Sequence, residues 1–242
     1  MMRSFLFVPA DGGTKLDKAF ASGADAVIVD LEDSITAERK DTARAATLAF
    51  LKKVGPQKQR PRLLVRINGL DTGMTDADLD AIVAGKPDAV VFPKAEGGAS
   101  VVHLDAKITA REAIAGLPEG HIRILAQAVE SAAGLFAAGS YRNASPRLIG
   151  LTWGPEDLSA ELAAETNRDE RGELTEPYRL ARSVCLYAAA AARLPAIETV
   201  YVDFRNSEGL RRDTETARRD GFAGRLAIHP AQVAVINDVF AP

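Results

Sequence analysis

The sequence predicts a parallel (β/α)8 TIM barrel forming a single domain over residues 1–242. Three observations predict it. Eight short runs rich in Val, Ile and Leu recur without polar alternation, which marks strands buried on both faces of a parallel sheet. Helical patterns fall between them, as parallel connections require. No Gly-x-Gly-x-x-Gly follows the first strand, so an open dinucleotide-binding sheet lacks its signature. A barrel of about 250 residues is one domain.

Taken in order, Phe5-Leu-Phe-Val8 is the first strand, followed by a helix over 14–22. Ala26-Val-Ile-Val-Asp-Leu31 is the second, and its long helix over 36–54 stops at Gly55-Pro56. Leu63-Leu-Val-Arg-Ile67 and Ala89-Val-Val-Phe92 are the third and fourth, with helices over 76–84 and 99–116. The fifth strand covers 123–129 and the sixth 148–152, with a short helix over 132–138 between them. The polar segment 165–173 reads as an exposed loop, or as a lid. An Ala-rich helix over 177–193 precedes the seventh strand, Thr199-Val-Tyr-Val202, and Leu226-Ala-Ile228 is the eighth. A final helix over 231–239 leaves no room for a C-terminal extension.

Composition narrows the function. The chain is 47% hydrophobic and 26% charged with net charge −3, ordinary values for one globular core. A pI of about 5.7 without a Lys/Arg-rich run argues against nucleic acid as a partner. No apolar stretch reaches the roughly 18 residues of a membrane span. The N-terminus, Met1-Met2-Arg3-Ser4-Phe5, enters a strand pattern with no secretory segment, so a soluble cytoplasmic protein is expected. A lone Cys185 excludes an internal disulfide and a cysteine-rich metal site, and its Ala/Leu-rich helix makes it a core residue.

Polar residues gather at the strand ends, where a barrel enzyme carries its chemistry. The fifth strand closes on Glu130. The sixth breaks at Gly154-Pro155, which puts Glu156 and Asp157 just past its end. Two hard oxygen donors from neighbouring strands, with room for water and substrate, suit Mg²⁺ or Mn²⁺. A metal on Glu130 and Asp157 would chelate a 2-oxo or 2-hydroxy acid against a wall that includes Gly154, Pro155 and Glu156. Arg66 on the third strand is suited to clamp a carboxylate or steady an enolate. Glu32 or Asp33, after the second strand, would hold metal-bound water or move a proton. Together these describe a metal-assisted C–C lyase or aldolase.

Other residues admit plainer roles. Asp30 reads as a structural acceptor or a site group, and Asp33-Ser34 also fits a helix N-cap. Lys94, a Schiff-base candidate, is set behind the carboxylate pair. Trp153 flanks the metal pocket or fills the rim. His103 and His121 read as surface residues and His229 as a satisfied barrel-end histidine. Asp203 and Arg205 are expected at the end of the seventh strand.

The motifs Arg3-Ser-Phe-Leu-Phe-Val-Pro9, Asp25-Ala-Val-Ile-Val-Asp-Leu-Glu-Asp33, Arg66-Ile-Asn-Gly69 and Pro93-Lys94 resemble the citrate lyase β-subunit and citrate-lyase-like family. So do Glu130 with Gly134, Gly154-Pro-Glu-Asp-Leu158 and Gly221-Phe-Ala-Gly-Arg-Leu-Ala-Ile-His-Pro230. The match runs nearly the whole chain in order. The wider group includes malyl- and citramalyl-CoA lyases and class II pyruvate aldolases. The resemblance implies the barrel, Mg²⁺ on Glu130 and Asp157, and substrate binding by Arg66. It also implies a coenzyme A or acyl-carrier thioester substrate and a homotrimer or hexamer. Gly12 stands where family members carry an arginine that helps hold coenzyme A phosphates, leaving Arg3, Lys15 and Lys18 as the nearby cations. The chain also ends before the extension that carries an aspartate in malyl-CoA-lyase-type members, as the short stand-alone members do. Two alternatives follow: a 2-oxo-acid aldolase that works without a thioester, and a non-catalytic subunit that keeps the metal.

Overall fold

The computed structural model describes residues 2–242; Met1 of the N-terminal pattern lies outside them. Among the described residues, strands β1 (Ser4–Pro9), β2 (Ala26–Asp30), β3 (Arg62–Arg66), β4 (Ala89–Phe92), β5 (Arg123–Val129), β6 (Leu148–Trp153), β7 (Ala196–Glu198) and β8 (Gly224–Ala227) close a barrel in sequence order. Every neighbouring pair, β8 against β1 included, is parallel. The helices are α1 (Thr14–Phe20), α2 (Lys40–Val54), α3 (Thr75–Ile82), α4 (Gly98–Ile114), α5 (Ala132–Ala137), α6 (Pro155–Glu161), α7 (Glu176–Ala192), α8 (Ser207–Asp220) and α9 (Pro230–Val239). None of the described helices is long and apolar enough to cross a membrane.

Strand alternation divides the core in two. Phe5, Ile28, Leu64, Val91, Leu125, Ile197 and Leu226 form the cluster inside the barrel. Their neighbours Leu6, Val27, Val29, Leu63, Val65, Val90 and Ile124 pack outward with the helices. Period two thus makes one strand serve both layers.

The seventh strand lies earlier than the sequence suggests. Ladder pairing uses Ala196, Ile197 and Glu198, against Leu151 and Thr152 on one side and Gly224 and Arg225 on the other. The β-branched Thr199-Val-Tyr-Val202 follows as unpaired chain, and Val202 is exposed. Tyr201 lies beside the guanidinium carbons of Arg168 and Arg225, at 5.9 Å from each. Propensity marked these residues, but β6 leaves for its loop before they could find a partner. Asp203 and Arg205 therefore lie on an exposed loop beyond the strand end.

Two helices escape the sequence reading. The segment after Gly154 is helix α6, and α8 carries Arg, Asp and Glu over most of its length. Its apolar side is narrow: Gly209, Leu210, Thr214 and Ala217 are its buried residues. The segment 165–173 is an exposed loop with one isolated bridge, Arg168 to Leu174.

Candidate active site

The alternation of β2 aims the first site residue. Ala26 and Ile28 face the barrel interior, so Asp30 follows them into its mouth. Leu64 and Arg66 do the same on β3, and Asp30 and Arg66 are register partners. Asp30 grips the guanidinium at two points, accepting from Nε at 2.7 Å and Nη2 at 2.8 Å. Arg66 Nη1 lies 3.0 Å from Glu32 Oε2 and 3.4 Å from Asp33 Oδ2, and the Phe7 ring sits 4.9 Å from the guanidinium carbon. Asp30 also accepts the backbone N–H groups of Glu32 and Ser34, at 2.9 and 3.2 Å. One buried carboxylate therefore orients the arginine and shapes the loop that carries Glu32. The Asp33-Ser34 pair caps no helix: α2 starts at Lys40, and Asp33 stays half-exposed beside Arg66.

On β5 a bulge does the aiming. Leu125 and Gln127 face inward, yet Glu130, of opposite parity, also reaches the cavity. The pairing with β6 slips between Gln127 and Val129, and that slip turns Glu130 in. Gln127 Nε2 donates to Glu130 Oε1, and the Lys94 backbone N–H donates to Glu130 Oε2 at 2.9 Å. Gly154 is needed for this packing, because a Cβ there would come within 2.7 Å of Glu130 Oε1. Asp157 follows in the first turn of α6, which opens with Pro155, and its side chain is one-third exposed.

Glu130, Asp157, Arg66, Asp30 and Gln127 meet on one cavity of about 430 Å³ at the barrel mouth, with Gly154, Pro155 and Glu156 in its wall. Glu130 and Asp157 also border a second cavity of about 400 Å³, which Lys94 lines. Burial pushes Glu130 up to about 8; the Lys94 N–H opposes this, and the charges of Glu32 and Asp157 add to it. Glu32 rises to about 7, chiefly by burial, with Arg66 pulling it down and Asp33 pushing it up. These crowded carboxylates are short of positive charge. Two buried oxygens, Gln127 Oε1 and Glu32 Oε2, make no hydrogen bond; Glu32 Oε2 touches Arg66 without the alignment of one. Hard oxygen donors, raised carboxyl pKa values and an open side all fit a divalent cation such as Mg²⁺. Among the described residues no group of three or more His, Cys, Asp or Glu side chains is placed to hold one metal ion together, so positions beyond Glu130 and Asp157 would fall to water or ligand oxygen.

Two lysines complete the floor: Lys94, a Schiff-base candidate from the sequence, and Lys40, to which sequence pattern assigned no role. Lys94 has φ 48°, a left-handed conformation rare outside glycine. Its Nζ lies 3.1 Å from Glu32 Oε1 and 3.7 Å from Asp157 Oδ1. Burial lowers its pKa, but the charge and hydrogen bond of Glu32 outweigh this and hold it above its ordinary value. A protonated amine is no nucleophile, which argues against the Schiff-base reading. Lys40 is buried and donates to Leu31 O, Glu32 O and Asn68 Oδ1 at 2.6, 2.8 and 2.8 Å, pinning the β2 loop to the end of β3. Asp78 in turn accepts both N–H groups of Asn68, at 2.6 and 2.7 Å.

The expected coenzyme A cations are not gathered here. Arg3 stands before β1, at the opposite end of the barrel from the mouth. There its guanidinium pairs with Asp25 at 2.9 Å and donates to Asn237 O. This corrects its assignment, since a residue at the start of a strand cannot reach that strand's end. Lys15 and Lys18 are exposed on α1 and line neither mouth cavity. At Gly12 a Cβ would meet Pro9 O at 2.8 Å, so this turn has no room for the family arginine. Trp153 lines the mouth cavity, fully buried, with Nε1 donating to Glu198 at 2.6 Å. His229 caps α9 by accepting the Ala231 N–H and stacks on Phe204 with ring centroids 4.6 Å apart. Cys185 is buried.

Comparison with known proteins shows the family and the overall fold. The sequence profile of the HpcH/HpaI aldolase/citrate lyase family matches residues 3–230. The citrate lyase subunit beta of Leuconostoc mesenteroides subsp. cremoris is 35% identical over 242 residues, 100% of this chain and 78% of that protein. A (3S)-malyl-CoA thioesterase of Cereibacter sphaeroides is 37% identical over 245 residues, 99% of this chain and 77% of that protein. The protein CitE of Mycobacterium tuberculosis, solved with magnesium, acetoacetate and coenzyme A, superposes with a TM-score of 0.81 at 32% identity, covering 100% of this chain and 81% of that one.

Proposed function

The chain belongs to the HpcH/HpaI aldolase/citrate lyase family, and from that premise we propose that it is a Mg²⁺-dependent lyase of short 3-hydroxyacyl thioesters, cleaving or forming the C2–C3 bond. The observation that carries this is the meeting of Glu130 and Asp157 with Arg66 on one cavity. The magnesium and coenzyme A of the solved relative support the cofactor and the substrate class. Mn²⁺ suits the same oxygen donors.

When bound, Mg²⁺ would draw electron density from a carbonyl oxygen and favour the enolate. The residues supply the rest. Cleavage takes the proton from the 3-hydroxyl, breaks C2–C3 and leaves its electron pair on the thioester as an enolate, which then accepts a proton. The 3-carbon becomes the carbonyl of the second product. Glu32, with a pKa of about 7, is suited to take and return that proton near neutrality. Asp30 fixes Nε and Nη2 of Arg66, so Nη1 is the edge left to meet substrate oxygen beside Glu32 and Asp33. Glu156, Pro155 and Gly154 form the wall against which the substrate packs.

Large apolar side chains exposed on α4, α5 and α7, Ile114, Phe136 and Tyr187 among them, support the trimer or hexamer that belongs to this reading. A cytoplasmic site of action is part of the same proposal.

Incubating the protein and Mg²⁺ with malyl-, citramalyl- and citryl-CoA, then identifying products by mass spectrometry, tests it. An oxo acid with a shortened acyl-CoA is the expected result. Free hydroxy acid with free coenzyme A would mean thioester hydrolysis, the activity named for the Cereibacter relative. Turnover of a 2-oxo acid alone would mean an aldolase, which Gly12 favours. Tight Mg²⁺ and oxo-acid binding without turnover would mean a non-catalytic subunit.

A further inference from the structure

Lys94 has a contact that the proposed reaction does not use. Its Nζ faces Asp157 Oδ1 at 3.7 Å as well as Glu32 Oε1 at 3.1 Å. Its backbone N–H holds Glu130 Oε2 at 2.9 Å. One residue therefore touches both carboxylates assigned to the cation and the acid beside them. The left-handed backbone at φ 48° makes this possible, turning the N–H toward Glu130 while the side chain returns over Glu32 and Asp157. Strained backbone persists only where its surroundings hold it, and here the surroundings are the site itself. The Lys94 side chain is one-third exposed and lines the second cavity with Asp157 and Glu130.

We infer that the Lys94 ammonium is a built-in counter-cation that competes with the divalent ion for Asp157. It bridges Glu32 and Asp157 in the metal-free protein, and it gives up Asp157 while keeping Glu32 when the metal arrives. Two positive centres a few ångströms apart in a half-buried site repel each other. Lys94 therefore holds Mg²⁺ affinity below what the carboxylates alone would give, and keeps the ion exchangeable. The inference rests on Glu130 and Asp157 being the metal ligands.

The test is calorimetric Mg²⁺ titration of metal-free wild type, Lys94→Met, Lys94→Gln and Lys94→Arg, with melting temperatures recorded with and without Mg²⁺. Both neutral variants should bind Mg²⁺ at least about tenfold more tightly, having lost a cation beside Asp157. Their metal-free melting temperatures should fall below wild type, and Mg²⁺ should raise them by more than it raises wild type. Lys94→Arg keeps the charge and should stay within about threefold of wild type. Structural damage weakens a metal site, so tighter binding is a signature it cannot produce. Unchanged or weaker binding in both neutral variants overturns the inference while leaving the metal site standing. Failure of wild type and neutral variants alike to bind Mg²⁺ overturns the metal site, and this inference with it.

Discussion

Asp30 and Arg66 are register partners on adjacent parallel strands, joined at two points of 2.7 and 2.8 Å in the barrel mouth. The pair sets the plane of the guanidinium before any substrate arrives. Arg66→Lys keeps charge but loses that planar fork. Turnover should fall by about 3–4 kcal/mol of transition-state stabilisation, as for a lost oxyanion donor. Steady-state kinetics check this: kcat should drop at least as steeply as kcat/KM. A change confined to KM would reduce Arg66 to a binding residue.

Gly154 and Glu130 make a second test. Gly154→Ala puts a Cβ 2.7 Å from Glu130 Oε1 and must push the carboxylate aside. Backbone φ −140° at this position suits alanine, so the fold should survive. Mg²⁺ affinity should fall about tenfold or more, in the range that mutating a ligand's supporting contacts produces. Asp157→Asn should abolish binding with the fold intact, because the side chain is one-third exposed and amide replaces carboxylate at equal size. Calorimetry with circular dichroism separates the two effects. Undiminished affinity in Asp157→Asn would remove that residue from the site.

Away from the mouth, Arg147 is buried and donates to Glu112 at 2.9 and 2.7 Å, and its Nε pairs with Asp105. Burial would raise the Glu112 pKa, but hydrogen bonds from Arg147 and from the Ile122 and Gly120 N–H groups outweigh it and hold the carboxyl below its ordinary 4.5. A depressed folded pKa stabilises fully above the unfolded value, and that stability is lost as pH falls through the folded one. Glu112→Gln removes one of the two carboxylates that Arg147 pairs with and should therefore cost about 1–3 kcal/mol at neutral pH. Its deficit against wild type should shrink below about pH 4.5. Urea unfolding at several pH values measures this, and the active site should be unaffected.

Assembly gives the last prediction. Phe136 and Ile114 are 88% and 87% exposed. Light scattering at micromolar concentration should report a trimer or hexamer, and Phe136→Glu should shift it toward smaller species. A monomeric wild type would contradict the proposal.

The sequence already contained the barrel and most of the residues gathered at its mouth, for a local reason. Parallel strands buried on both faces need runs of Val, Ile and Leu, and the polar residue that ends such a run is conspicuous. Asp30, Arg66, Glu130 and the Gly154-Pro155 break are each visible in that way, and residue order put them at strand ends. Tertiary structure decided what depends on partners. The β5–β6 slip turns Glu130 inward beside Gln127 although their parity differs, and no single strand can announce it. β7 pairs at Ala196–Glu198 because its neighbours offer hydrogen bonds there, whereas propensity favoured the Val and Tyr residues beyond. Arg3 and Lys94 are both basic residues beside strands. Position along a strand sends the first to the far end of the barrel, and a left-handed turn brings the second over Glu32 and Asp157. Residue type determines which charges the chain has to place; the closed sheet, by fixing direction and register, determines which of them meet.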